Sequence, residues 1–289
     1  MTTVGRFRGP SDLHLHSARS DGTESPADVM RAAHAAGIGT ASLTDHDTSV
    51  GWGEAAAASS ALGMTFLPGM EMSARHAWRS VHILAYLFDP ADAALAAELD
   101  RIRDDRLGRA ERIVGHLARD YDLSWADVVA QTGDGATVGR PHIADALVAR
   151  GIVADRAAAF DGVLHPREGY YEPHYAPDPF TAVDLIVAAG GVPVIAHPAT
   201  AGRERMMPVP VLEELIARGL AGFEIGHREN TEAGKAQLRR LAERHDLIVT
   251  GSSDYHGAGK PNRPGENTTS DAMVARIIAR GHGSAPVFA

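Results

Sequence analysis

Short, mostly apolar runs alternate with longer stretches whose apolar residues recur every three or four positions. Pro10 to Leu15, Thr40 to Thr44, Met64 to Pro68 and Val81 to Tyr86 read as strands, each bounded by polar or turn-forming residues. Ser25-Pro26 looks like a helix N-cap followed by proline in the first turn, and the helix it opens stops at Gly37. Gly51 to Leu62 predicts a second helix. Such alternation predicts a parallel sheet with helices outside it.

From Ala91 to about Pro179 the strand signals disappear. Ala93 to Tyr121 predicts one long, charged helix, and shorter helices are expected at Trp125–Gln131, Pro141–Arg150 and Ala154–Phe160. A loop rich in Pro, Tyr and His, Tyr170 to Pro177, closes this segment. The alternation then resumes with strands at Val192–Ala196, Gly222–Gly226 and Leu247–Gly251, among helices at Pro179–Ala189, Pro210–Arg218, Glu232–Arg244 and Asp271–Arg280. Seven strands are expected in all. The predicted fold class is α/β, with one domain from residues 1–90 and 179–289 and a helical, substrate-covering insertion over 91–178.

Composition narrows the function. At 289 residues the chain suits one α/β barrel, and 44% hydrophobic residues suffice for a packed core. No run of 18 or more apolar residues occurs, and Met1 to Arg6 lacks the apolar stretch of a signal peptide, so a cytoplasmic location is expected. A net charge of −9 argues against a duplex-DNA surface. Without cysteine, any metal site must be built from His, Asp and Glu.

Those residues recur at the ends of the expected strands. His14 and His16 are two apart on a strand, so both face the same side. Asp21 follows in the next loop. His46, behind Asp45, lies just past the second strand; Glu71 follows the third through a turn at Gly69; His82 starts the fourth. His197-Pro198 ends the fifth, and Asp254 and His256 repeat the two-residue spacing after the last. Singly, each has a bland reading as a capping residue, turn or surface histidine. Jointly, nine such residues from His14 to His256 require a fold that gathers strand ends at one point, as an α/β barrel does. Imidazole and carboxylate without thiolate suit borderline to hard divalent ions, two or three here: manganese, with iron and zinc as alternatives. Two such ions about 3.5–4 Å apart can share a hydroxide and stabilise a phosphoryl group in transfer.

The ordered set His-x-His, Asp, Asp-His, Glu, His, His-Pro, Ser-Asp-x-His resembles the PHP superfamily, named for polymerase and histidinol phosphatase. The stretch from Ser11 to Thr48 is similar to that family's opening motifs. The resemblance implies a distorted seven-stranded (β/α)7 barrel. It also implies one cation on His14, His16, Glu71 and Asp254, a second on Asp21, His46, Glu71 and His256, and a third completed by His82 and His197. His16, Asp21, Glu71 and His256 are the expected catalytic set. The insertion, with Gly139-Arg140-Pro141-His142, resembles the branch that includes 3′,5′-nucleotide bisphosphate phosphatases, whose members also trim short RNA from the 5′ end. The implied activity is phosphate release by a metal-bridged hydroxide. Histidinol-phosphate phosphatase and a non-catalytic metal-binding module are the alternatives, and a monomer or weak homo-oligomer is expected.

Phosphate recognition calls for arginine, whose planar fork matches phosphate oxygens. Arg103, Arg106, Arg109 and Arg112 recur every three residues on the long helix, and Arg140 and His142 open a later one. Arg103, Arg106, Arg140 and His142 are the expected substrate contacts. Tyr171, His174 and Tyr175 are candidates for stacking on a base, and Lys260 and Asn262 for lining the mouth. His34, His76, His116, His165, His227, His245 and His282 are read as structural or surface residues, His227 least firmly because it ends the sixth strand.

Overall fold

The computed structural model describes residues 9–133, 135–201 and 206–289; the stretch 1–8, read above as lacking a signal-like run, lies outside the described residues. In chain order the first elements are β1 (Ser11–Leu15), α1 (Pro26–Ala35), β2 (Thr40–Leu43), α2 (Trp52–Ala61), β3 (Thr65–Phe66), β4 (Gly69–His76) and β5 (Arg79–Tyr86). The helical segment holds α3 (Ala93–Leu117), α4 (Trp125–Val129), α5 (Arg140–Ala149) and α6 (Arg156–Asp161). Then come α7 (Pro179–Ala188), β6 (Val192–Ile195), α8 (Val209–Ala217), β7 (Gly222–Gly226), α9 (Glu232–Arg244), β8 (Ile248–Gly251) and α10 (Asp271–Arg280). The Ser25 hydroxyl accepts the Asp28 amide at 3.1 Å and starts α1, while Gly37, with φ +83°, follows its end.

The fold is mixed α/β, but its strands fall into two sheets, β1-β2-β3 and β4-β5-β6-β7-β8. The expected parallel sheet needs correction. β5 runs antiparallel to both β4 and β6, while the remaining pairs are parallel. The cause is local: only Ala77 and Trp78 join β4 to β5, with Ala77 at φ +54°, and so short a link forces a hairpin. Residues 69–76 form a strand rather than a turn. Met70, Met72 and Ala74 enter the main core while Glu71, Ser73 and Arg75 take the other face.

The sheet edges meet beyond the regular ladders. Leu15 bridges Tyr255 in parallel, with the His16 amide donating to the Tyr255 carbonyl at 2.8 Å. Beyond the end of β2, His46 bridges Glu71 on β4, the edge strand of the second sheet. The Tyr86 hydroxyl donates to the Leu13 carbonyl at 3.1 Å, tying β5 to β1.

The insertion has apolar packing of its own. Ile113, Val114 and Leu117 from the second half of α3 cluster with Val128, Ile143, Leu147 and Leu164. Leu95, Leu99 and Ile102, from the first half of α3, belong to the main core instead. One helix therefore spans both cores and carries its central arginines over the strand ends. Among the described residues, no helix is long and apolar enough to cross a membrane.

Candidate metal centre

The reversed direction of β5 explains why His82, near a strand's beginning, meets residues at other strands' ends. The amino end of an antiparallel strand lies beside the carboxyl ends of its parallel neighbours. Glu71 stands at the centre. Its Oε2 lies 3.3, 3.1 and 3.2 Å from ring nitrogens of His14, His16 and His46. Its Oε1 lies 3.0 and 3.1 Å from those of His82 and His197. Asp254 Oδ1 sits 3.4 Å from His14, 3.3 Å from His16 and 3.4 Å from His256. Asp21, in the loop after β1, approaches His256 at 3.2 Å, His16 at 3.7 Å and His46 at 3.8 Å.

All nine expected ligands thus converge. Their ligand atoms fall into four overlapping groups: His16-Asp21-His46-His256, His14-Glu71-His197, His14-His16-Asp254 and His46-Glu71-His82. His14, His16, His46 and Glu71 each belong to two groups. The nitrogens approach carboxylates, yet His46 Nδ1 and His256 Nε2 are buried and make no hydrogen bond. Such groups are costly unless something else satisfies them. A cation among the lone pairs would do so, and the neutral imidazole and ionised carboxylate set fits a borderline divalent ion.

The electrostatics follow from crowding. Burial opposes ionisation of Glu71, but His46, His14 and His82 outweigh it and hold its carboxyl well below the usual range. Asp254 is buried and Asp21 partly so, and desolvation opposes the ionisation of each, yet both are held well below the usual range, Asp21 chiefly by His256 and His46, Asp254 by Lys260 and His256. Burial keeps His46 well below its usual value and lowers His256 too. His14 and His16 go the other way. Burial opposes their protonation, yet Glu224, Glu71 and Asp254 raise His14, and hydrogen bonds to Asp254 and Glu71 push His16 up to about 9. His197 and Asp254 take left-handed backbone, φ +30° and +55°, a conformation of the kind that concentrates at functional sites.

Of three neighbours of the cage, one escaped the sequence reading. Glu224 on β7 accepts from His14 Nδ1 at 3.0 Å and from the His197 amide at 2.9 Å, fixing one ring's tautomer and the other's backbone. Its signal was present: a carboxylate between Phe223 and Ile225, in the opposite phase to the core residues. His227, read as structural or surface, is fully buried, with Nε2 3.6 Å from Asp254 Oδ2 and its ring 5.1 Å from that of His197. Asp45 does not join the groups; its carboxylate accepts from Ser17 and Ser20 and shapes the loop ahead of Asp21.

The expected substrate contacts scatter more. Arg103 donates to the Asp47 carbonyl at 2.6 Å and pairs with Asp100. Arg106 pairs with Asp47 and Ser73. Arg140 stacks over Phe160 and Tyr171, 4.9 and 5.3 Å from their ring centroids. His142 accepts the Gly139 amide at 3.1 Å and helps cap α5. Tyr175 is tied to Glu98 and Arg101, and the His174 ring to the Tyr175 carbonyl. Lys260 holds Asp254 at 2.7 Å, and Asn262 donates to the Ser253 carbonyl. Both line a cavity of about 500 Å³ that includes Asp21 and His256, with Arg156, Phe160 and Arg228 on its walls.

Comparison with known proteins places this site in context. Residues 12–119 match the family model described as the PHP domain. Over 276 residues the chain is 34% identical to a 3′,5′-nucleoside bisphosphate phosphatase of Chromobacterium violaceum, spanning 93% of this chain and 95% of that one. It is 32% identical over 246 residues to a 5′-3′ exoribonuclease of Haemophilus influenzae, spanning 85% and 89%. A solved structure from Bifidobacterium adolescentis, classed as a metal-dependent phosphoesterase, superposes with a TM-score of 0.92 at 40% identity, covering 96% of this chain and 98% of that one.

Proposed function

This chain belongs to the PHP family, and from that premise we propose that it is a metal-dependent phosphohydrolase acting on nucleotide 3′,5′-bisphosphates or on the 5′ ends of short RNA. The observation that carries the reading is Glu71, with ring nitrogens of five histidines within 3.3 Å of its two oxygens. Relatives named for nucleoside bisphosphate hydrolysis and for 5′-3′ exoribonuclease activity, aligned over most of both chains, support the substrate class.

Three divalent ions, manganese by preference, are assigned. His14, His16, Glu71 and Asp254 hold one, Asp21, His46, Glu71 and His256 a second, and His82 and His197 with Glu71 the third. His16, Asp21, Glu71 and His256 are assigned as the catalytic face: Asp21 and His256 border the cavity, His16 shares a ligand group with both, and Glu71 lies 3.1 Å from His16. When bound, such ions supply Lewis-acid polarisation of phosphoryl oxygens and a nucleophile from water at neutral pH. The protein's share is positioning. Glu224 and Asp254 orient imidazoles, while Lys260 and Arg228 give the cavity wall the positive charge a phosphate requires. Arg140, laid over Tyr171, is the assigned phosphate contact at the insertion, and Phe160 offers a base a flat apolar face.

The two sheets, linked by the Leu15–Tyr255 and His46–Glu71 bridges, support reading them as halves of one distorted barrel. The separate apolar cluster of Ile113, Ile143 and Leu147 supports treating 91–178 as the covering domain. A cytoplasmic location accords with the absence of cysteine. The test is phosphate release from adenosine 3′,5′-bisphosphate and from histidinol phosphate with manganese present. The bisphosphate should be the better substrate; preference for histidinol phosphate would overturn the assignment.

A further inference from the structure

Arg106 lies midway along α3 with only 8% of its surface exposed, and it reaches beneath the insertion to a knot at the strand ends. Its Nε is 3.0 Å from Asp47 Oδ2, and its Nη2 donates to Ser73 Oγ at 2.5 Å. Asp47 is fully buried in left-handed backbone, φ +55°. Its carboxylate accepts the Ser73 amide at 2.6 Å and the Ser73 hydroxyl at 2.8 Å. Both oxygens are therefore engaged, and Asp47 is none of the candidate ligands.

The knot touches every member of one group. Asp47 follows His46 directly, and its amide donates to the Glu71 carbonyl at 3.0 Å. Ser73 lies two residues beyond Glu71 on β4 and pairs in register with His82 on β5. His46, Glu71 and His82 are the group these connections surround. Arg103, one turn earlier on α3, holds the Asp47 carbonyl at 2.6 Å and fixes the same backbone from above.

We propose that Arg106 is a positioning residue for the ligand group of His46, Glu71 and His82, where the second and third cation sites meet at Glu71, acting through Asp47 and Ser73; the inference rests on the metal-centre reading above. Asp47 buried without its guanidinium would be an uncompensated charge, and the loop carrying His46 would shift to relieve it. Only a fork reaches carboxylate and hydroxyl together, so lysine cannot replace it fully.

The test is manganese titration of the full chain by calorimetry, with metal content measured after dialysis, for wild type, Arg106→Met, Arg106→Lys and Asp47→Asn. In Arg106→Met the two cation equivalents that use His46 and His82 should weaken by about 10- to 100-fold, the range for residues that orient ligands, while the one held by His14, His16 and Asp254 binds as in wild type. Arg106→Lys should recover part of the loss. Asp47→Asn, nearly isosteric, should reproduce the loss and provides the same readout if Arg106→Met does not fold. Wild-type affinity at every equivalent in Arg106→Met or Asp47→Asn would overturn the proposal. So would uniform weakening of all equivalents in step with lost thermal stability. A wild-type protein that takes up no manganese would instead overturn the metal-centre reading itself.

Discussion

At the strand ends, buried nitrogens and oxygens crowd toward one another, whereas in the insertion Arg112, Arg150 and Arg156 have each found a separate carboxylate. Arg112 rests on Glu172 at 2.6 Å, Arg156 pairs with Asp145, and Arg150 pairs with Asp122. Around Glu71, by contrast, His46 Nδ1 and His256 Nε2 are buried without a hydrogen bond. Buried polar groups are ordinarily satisfied, so the contrast separates a place built for something absent from the protein chain from one built largely to hold itself.

The sharpest way to break this contrast is at its centre. Glu71→Gln removes the one carboxylate shared by five imidazoles. Phosphate release should fall by roughly three orders of magnitude or more, since the ions' transition-state stabilisation amounts to several kcal/mol. Steady-state kinetics together with metal content would check it; near-normal turnover would show that the crowding around Glu71 is incidental. A smaller effect is expected in the insertion. Arg140→Ala should raise KM roughly tenfold to a hundredfold, from the 1.5–3 kcal/mol of a charged hydrogen bond, while metal content stays at the wild-type level. Lost metal would show that Arg140 serves the cage rather than the substrate.

The smallest effect concerns the insertion's own stability. Burial, helped by Arg106 and Arg109, pushes His174 down to about 2. The folded state therefore resists a proton that the unfolded chain accepts below about pH 6.5. Stability contributed by the neutral ring is present above that pH and lost as pH falls. The drop in melting temperature between pH 7.5 and pH 5 should be smaller in His174→Gln than in wild type. An identical drop would place the acid sensitivity elsewhere.

How much of this was legible depended on the kind of signal. His14 and His16 were readable because spacing by two on extended chain keeps them on one side; Asp254 and His256 were readable as residue types past a strand end, although the chain there is not extended and Asp254 is left-handed. His82 was readable as a residue type but not as a position, because its placement depends on β5 running backwards. The two-residue link at Ala77-Trp78 was the clue to that reversal. β4 was missed because Gly69 resembled a turn, although Met70, Met72 and Ala74 alternated with Glu71, Ser73 and Arg75. Glu224 was missed for a different reason: it lies within a strand, not beyond its end. The arginines of α3 were the least legible. Spacing by three places them near one face, but whether a guanidinium meets a phosphate or Asp47 depends on which loop lies beneath that face.

If the cage around Glu71 is a multinuclear cation site, the purified protein should retain several divalent ions. The most direct test is the number of manganese ions bound per chain by the purified protein after loading and desalting. At least two are expected, and three where every proposed cation site fills. A loaded protein that retains fewer than two would contradict that assignment.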